Sequence, residues 1–192
     1  MKIKVLSIDP GESSGWLYAE LDTLTNEETN VQGGTVKHDR PEIWRLLHSF
    51  APDILLLEEF KLYATHAKAL THSTFYTCEI IGLIKLYVDL VRHFPRVPEH
   101  VYDTKPSFQD VRLFTNPALN KKYSGADKSD VLWQTLLALP KVTEHTYDAY
   151  QHYAYFKRHR LQKFAPVVAE KASLLDEVGF TSDHYSGKTR PN

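Results

Sequence analysis

Cysteine is nearly missing from this chain of 192 residues: Cys78 stands alone, so no internal disulfide can form. That fits a reducing compartment, and the expected location is the cytoplasm. Long apolar runs are missing too. None reaches the roughly 18–20 residues that span a bilayer, so no membrane partner is expected. The opening Met1-Lys2-Ile3-Lys4-Val5 enters strand-like sequence directly and leaves no room for a signal peptide. An excess of either charge is also absent. Lys and Arg number 23 against 24 Asp and Glu, for a formal net charge of −1 with the histidines neutral. A uniformly basic coat is thereby excluded, and any nucleic-acid binding must come from local patches or bound metal. There is no phosphate loop of the G-x-x-x-x-G-K-[ST] kind, since Gly15 and Gly125 are isolated. That argues against an ATP-driven motor and against a nucleotide cofactor. No internal repeat or low-complexity tract occurs.

What is present reads as one soluble α/β domain, with 42% hydrophobic and 24% charged residues. Lys2–Ile8, Gly15–Leu21 and Val31–Lys37 read as three short strands joined by turns, an antiparallel meander. In the second, Trp16, Tyr18 and Glu20 share one face and Leu17, Ala19 and Leu21 the other. Gly33-Gly34 marks a bulge or a close approach. Asp39 caps a helix with Pro41 in its first turn, and Pro52-Asp53 ends it. Ile54–Leu57 is apolar without alternation, as in a central strand buried on both faces. Phe75–Phe94 is the longest helix, apolar around much of its girth, and is either deeply packed or a subunit contact. Gly82 inside it points to tight helix packing there. A short strand follows at His100–Tyr102. A helix capped by Ser129 runs over Asp130–Leu139, and another capped by Thr143 runs from Glu144 to Phe164. The pattern fades after Ala165, so residues 1–165 are expected to form the domain and 166–192 a partly flexible extension.

Two acids stand where apolar strands end. Asp9 follows Val5–Ile8 and precedes Pro10-Gly11; Glu58 follows Ile54–Leu57. Such carboxylates are costly at the rim of a core unless something positive shares the site. The plainer reading is that Asp9 organises its turn and Glu58 is a solvated strand end. If the two strands are neighbours, both acids meet at one sheet edge, where open α/β sheets gather ligands. Glu59 would face the other way. His145 and Asp148, three apart, share a helix face, and His152 lies four beyond Asp148. Ala149 is small enough to let that helix lie close to the sheet. Oxygen donors suit Mg²⁺ or Mn²⁺, and an imidazole shifts preference toward Mn²⁺.

Ile8-Asp9-Pro10-Gly11, then Pro52-Asp53 with Glu58 after the apolar strand, then Asp127-Lys128-Ser129, then His145-x-x-Asp148-Ala149, occur in this order. The chain in this respect resembles the RuvC-type Holliday junction resolvases, in particular the compact RuvC-like proteins of phages, over about residues 1–160. The resemblance implies an RNase H-like fold: a mixed five-stranded sheet with three antiparallel N-terminal strands and two parallel ones, flanked by helices. It implies metal-dependent cleavage of branched DNA, with two Mg²⁺ or Mn²⁺ ions per site and products carrying 5′-phosphate. By position, Asp9, Glu58 and Asp148 match the acidic ligands, and His145 falls where the family has a fourth Asp or a His. Lys128 matches a basic residue that contacts the reacting phosphate, and Lys105 matches a second in a looser register. Phe60 and Tyr63 bracket the position of an aromatic wedge.

Three basic groups are candidates for DNA contact: Lys61 and Lys68 after Glu58; Lys121 and Lys122 with Lys128; and Lys157, Arg158 and Arg160 at the end of the last helix. The last group equally complements a helix dipole. Two matched cuts in a four-way junction imply a homodimer. The alternatives are an RNase H-like nuclease for flaps, other structured DNA or RNA–DNA hybrids, and a non-catalytic junction-binding protein. An actin-like nucleotide binder would need a longer, two-lobed chain.

Overall fold

The centre of the molecule is strand β1, Lys2–Asp9, flanked on each side by a strand of the same sheet. The computed structural model describes residues 2–37, 39–58, 75–93, 111–116 and 124–161. Strand β2, Ser13–Asp22, and strand β3, Glu28–Lys37, continue antiparallel from β1 as a meander. Strand β4, Ile54–Glu58, lies parallel on the other side of β1, and β5, Arg112–Asn116, parallel beyond it. The order is β3-β2-β1-β4-β5. This is the mixed five-stranded, RNase H-like arrangement that the resemblance implies.

Helix α1, Arg40–Phe50, and helix α2, Tyr76–His93, cover one face of the sheet. They bury Ile43, Leu47, Ile80, Ile84, Tyr87 and Val88 against Leu6, Ile8, Tyr18, Leu55 and Leu57. Helix α3, Val131–Leu137, and helix α4, Glu144–His159, cover the other. There Leu132, Leu136, Tyr150, Tyr153 and Phe156 meet Val5, Leu17, Ala19, Leu21, Ile54 and Leu56. Strand alternation sorts the two sets, since neighbouring side chains point to opposite faces. Strand β4 is fully buried up to Leu57 because it has a helix on each face.

Asp53 fixes the parallel register. It is 1% exposed, and its carboxylate accepts from the Lys4 N–H at 2.7 Å. Its own N–H donates to the Lys4 carbonyl, and its carbonyl accepts from the Arg112 N–H, both at 2.9 Å. One residue thus ties the start of β4 to both neighbouring strands.

Three local expectations change, and a fourth falls outside the described residues. The fifth described strand is Arg112–Asn116; the expected His100–Tyr102 lies outside the described residues. Arg112 and Asn116 give β5 polar ends, so pairing with β4 makes it a strand more than its own pattern does. Asp130, not Ser129, caps α3 through its carboxylate and the Leu132 N–H. The Ser129 N–H is instead held by Asp127 in the preceding turn. Helix α4 ends at His159 with Arg160 as its C-cap, short of the expected Phe164, itself outside the described residues. Among the described residues Gly82 faces open space rather than a close helix contact, since a Cβ there would meet none of them within 4 Å. Gly33 does mark a close approach: its Cβ would lie 2.6 Å from Leu136. The sheet irregularity lies opposite Tyr18–Glu20, off the glycines.

Candidate metal centre

Alternation along β1 turns Ser7 and Asp9 toward α4, and alternation along β4 does the same for Leu56 and Glu58. Ile8 pairs with Leu57, so Asp9 and Glu58 come next, side by side, at the carboxyl ends of two parallel strands. Helix α4 is held close above them. The buried Ser7 hydroxyl donates to the Ala149 carbonyl at 2.8 Å, and Ala149 is itself fully buried. Gly15 pairs with Asp9 across the sheet. A Cβ on Gly15 would lie 1.8 Å from the His145 carbonyl oxygen, so only glycine lets the helix start there. Thr143 and Thr146 form a reciprocal capping box that sets this first turn.

The turns of α4 that follow carry His145, Asp148 and His152 over the two strand-end acids. His145 Nδ1 is 3.9 Å from Asp9 Oδ2. His152 Nε2 is 3.5 Å from Glu58 Oε2. Donor atoms of Asp9, His145 and Asp148 all lie within 4.8 Å of one another, and so do those of Asp9, Glu58 and His152. Asp9 belongs to both triads.

The electrostatics match that crowding. Burial, then the charges of Asp148 and Glu58, push the Asp9 carboxyl up to about 7. Burial also raises Asp148, against the opposing pull of a 2.9 Å hydrogen bond from Gln151 Nε2 and of the two histidines. Among the described residues no Lys or Arg pairs with any of the three acids. Buried polar atoms with no partner gather around them: His152 Nδ1, Gln151 Oε1 and Asn116 Oδ1. Three carboxylates and two imidazoles converging with no cation of the described residues among them fit a divalent metal, and the donor set suits Mg²⁺ or Mn²⁺.

The structure therefore brings Asp9, Glu58, His145 and Asp148 together. It adds His152, which is 2% exposed. The signal for it was its spacing, four residues past Asp148 on the same helix face; Glu58 as its neighbour is a tertiary fact. Lys128 stands outside both triads. It is exposed, its ammonium 5.0 Å from the centre of the Tyr147 ring, one residue before Asp148. Lys157 is ion-paired with Glu28, which also accepts from the Tyr153 hydroxyl. Arg158 and Arg160 lie at the same end of α4, on the order of 15 Å along the helix from Asp148. Phe60, Lys61, Tyr63, Lys68, Lys105, Lys121 and Lys122 lie outside the described residues.

No protein-family model and no curated protein matches the chain. Solved structures do. The chain is 14% identical to Thermus thermophilus RuvC, over 81% of this chain and 96% of that one, with a TM-score of 0.46. It is 17% identical to T. thermophilus RuvC in complex with Holliday junction substrate, over 83% and 97%, with a TM-score of 0.45. It is 12% identical to the fowlpox virus Holliday junction resolvase, over 81% and 99%, with a TM-score of 0.48.

Proposed function

We propose that the protein is a metal-dependent endonuclease that hydrolyses phosphodiester bonds in branched DNA, resolving four-way junctions as a RuvC-type resolvase. One observation supports this above the others: Asp9 is shared by two triads of metal donors at the carboxyl ends of neighbouring parallel strands.

The chain's own side chains divide the work. Asp9 would bridge two Mg²⁺ or Mn²⁺ ions, with His145 and Asp148 completing one donor set and Glu58 and His152 the other. Bound there, such ions would supply an acidified water and stabilise the leaving oxygen. Gln151 orients the Asp148 carboxylate through its 2.9 Å hydrogen bond. Ser7 and Gly15 keep α4 at the distance that lets its side chains reach the strand ends. The Lys128 ammonium, steadied over Tyr147, meets the scissile phosphate. Products carry 5′-phosphate. Two matched cuts take two sites related by a two-fold axis, hence a homodimer, which sedimentation at several concentrations tests.

The deciding assay uses a synthetic immobile four-way junction with Mg²⁺, Mn²⁺ or EDTA in parallel, beside flap and RNA–DNA hybrid substrates. Paired nicks in the junction arms with either metal, and none in EDTA, are expected. Asp9→Asn abolishes them while junction binding persists. Junction binding that never leads to a nick with any metal would leave a binding protein and remove the enzyme.

A further inference from the structure

Beside the metal centre, between the end of β3 and the first turn of α4, lies a groove of about 460 Å³. Lys37 and Lys141 line it from opposite elements, with the hydroxyl residues Ser13, Thr35 and Thr143 between them. Both lysines are exposed, and neither is in an ion pair among the described residues. Glu144 is the one acid among the described residues lining it.

The strand registers place this groove relative to the acids. Asp9 pairs with Gly15, and Gly15 with Thr35, so the groove begins two strand spacings from Asp9, about 10 Å. Lys37 is two residues beyond Thr35 and shares its face. That face carries α4, because Thr35 Oγ1 lies 2.5 Å from Thr143 Oγ1 and 3.1 Å from Thr146 Oγ1. His145 lines the groove and belongs to the metal triad as well, so the two sites share a residue. The start of α4, a helix of 16 residues, adds its positive dipole end to the two cations. Lys141 holds a backbone φ of 67°, a conformation that glycine adopts freely and a lysine does not. A glycine there would ease the turn but remove the charge.

We infer that this groove carries the phosphodiester backbone of one DNA strand away from the metal centre, with Lys37 and Lys141 on its phosphates. The inference rests on the nuclease reading and adds the direction of the strand, across β2 and β3. The groove also supplies cations that are unpaired among the described residues on the metal-centre side of α4, whereas Lys157 at the far end of the helix is ion-paired.

The test measures binding alone, in the Asp9→Asn protein without added divalent ion. Anisotropy of a labelled four-way junction is followed from about 50 to 300 mM salt. Adding Lys37→Ala and Lys141→Ala weakens binding about tenfold at low salt and flattens the log–log salt slope by about 1.5, the loss of two phosphate contacts. Adding Arg45→Ala and Lys85→Ala instead, exposed cations on α1 and α2, leaves the slope unchanged. If the alanine pair perturbs the thermal melt, Lys37→Gln with Lys141→Gly removes the same charges while relieving the turn. An unchanged slope and affinity in a folded double variant overturns the inference and leaves the nuclease reading intact. A parent protein that binds no DNA overturns both.

Discussion

Replacing Asp9 by Asn should stabilise the metal-free protein, and by an amount that depends on pH. Asp9 carries a carboxyl pushed up to about 7 from 3.8 by burial, Asp148 and Glu58. Between these two values the unfolded chain has lost the proton and the folded chain still holds it. The folded state then binds more protons, so stability falls as pH rises. At about 1.4 kcal/mol per pH unit of separation, the penalty comes to about 4 kcal/mol at pH 8 and falls below about 1 kcal/mol by pH 4. Only 18% of the side chain is exposed, so solvent screening removes little of it. Asn keeps the shape of the protonated acid and has no charge to lose. Thermal melts in EDTA should therefore separate the two proteins by on the order of 10 °C at pH 8 and converge toward pH 4. Mn²⁺ should reverse the order at pH 8 by binding the native wild type. Equal melting temperatures in EDTA across this range would refute the claim that burial, reinforced by the neighbouring acids, raises the Asp9 carboxyl.

Glu58→Gln should abolish junction nicking and weaken Mn²⁺ binding by calorimetry while leaving the far-UV spectrum intact. His152→Gln, which keeps a polar side chain, should lower Mn²⁺ affinity about 10-fold or more; unchanged affinity would remove His152 from the donor set. Gly15→Ala forces a methyl onto the His145 carbonyl, so α4 must shift. A loss of about 1–3 kcal/mol in urea melts, with nicking reduced further than stability explains, is expected. Asp53→Ala leaves the Lys4 N–H without its carboxylate and should cost about 1–3 kcal/mol with no direct effect on metal binding.

Much of the fold is legible from local pattern. Period-two alternation in Trp16–Leu21 sorts its side chains onto the two faces the structure shows, because alternation is a property of any extended strand. The unbroken apolar run Ile54–Leu57 reads as buried on both faces for the same reason. Asp39, Pro41 and Thr143 mark helix starts because their effects act within one turn. Strand β5 is not legible: its order depends on a partner strand more than fifty residues earlier. Gly82 misleads because helix propensity says that a glycine is costly, not what stands opposite it.

The sequence by itself determined which chemistry is available: two acids ending apolar strands, and a His-x-x-Asp on one helix face with a second histidine one turn on. Spacing along one element carries that much, since strand and helix geometry repeat locally. Only the tertiary structure decided the rest. The parallel pairing of β1 with β4 sets Asp9 beside Glu58, and Gly15 lets α4 descend until His145 and His152 reach them. Glu28 takes up Lys157, and the β2–β3 register sets Lys37, unpaired among the described residues, on the sheet face that carries α4. The reason is that a carboxylate's proton affinity, and a lysine's freedom to meet a phosphate, depend on charges brought near through space by distant segments of chain.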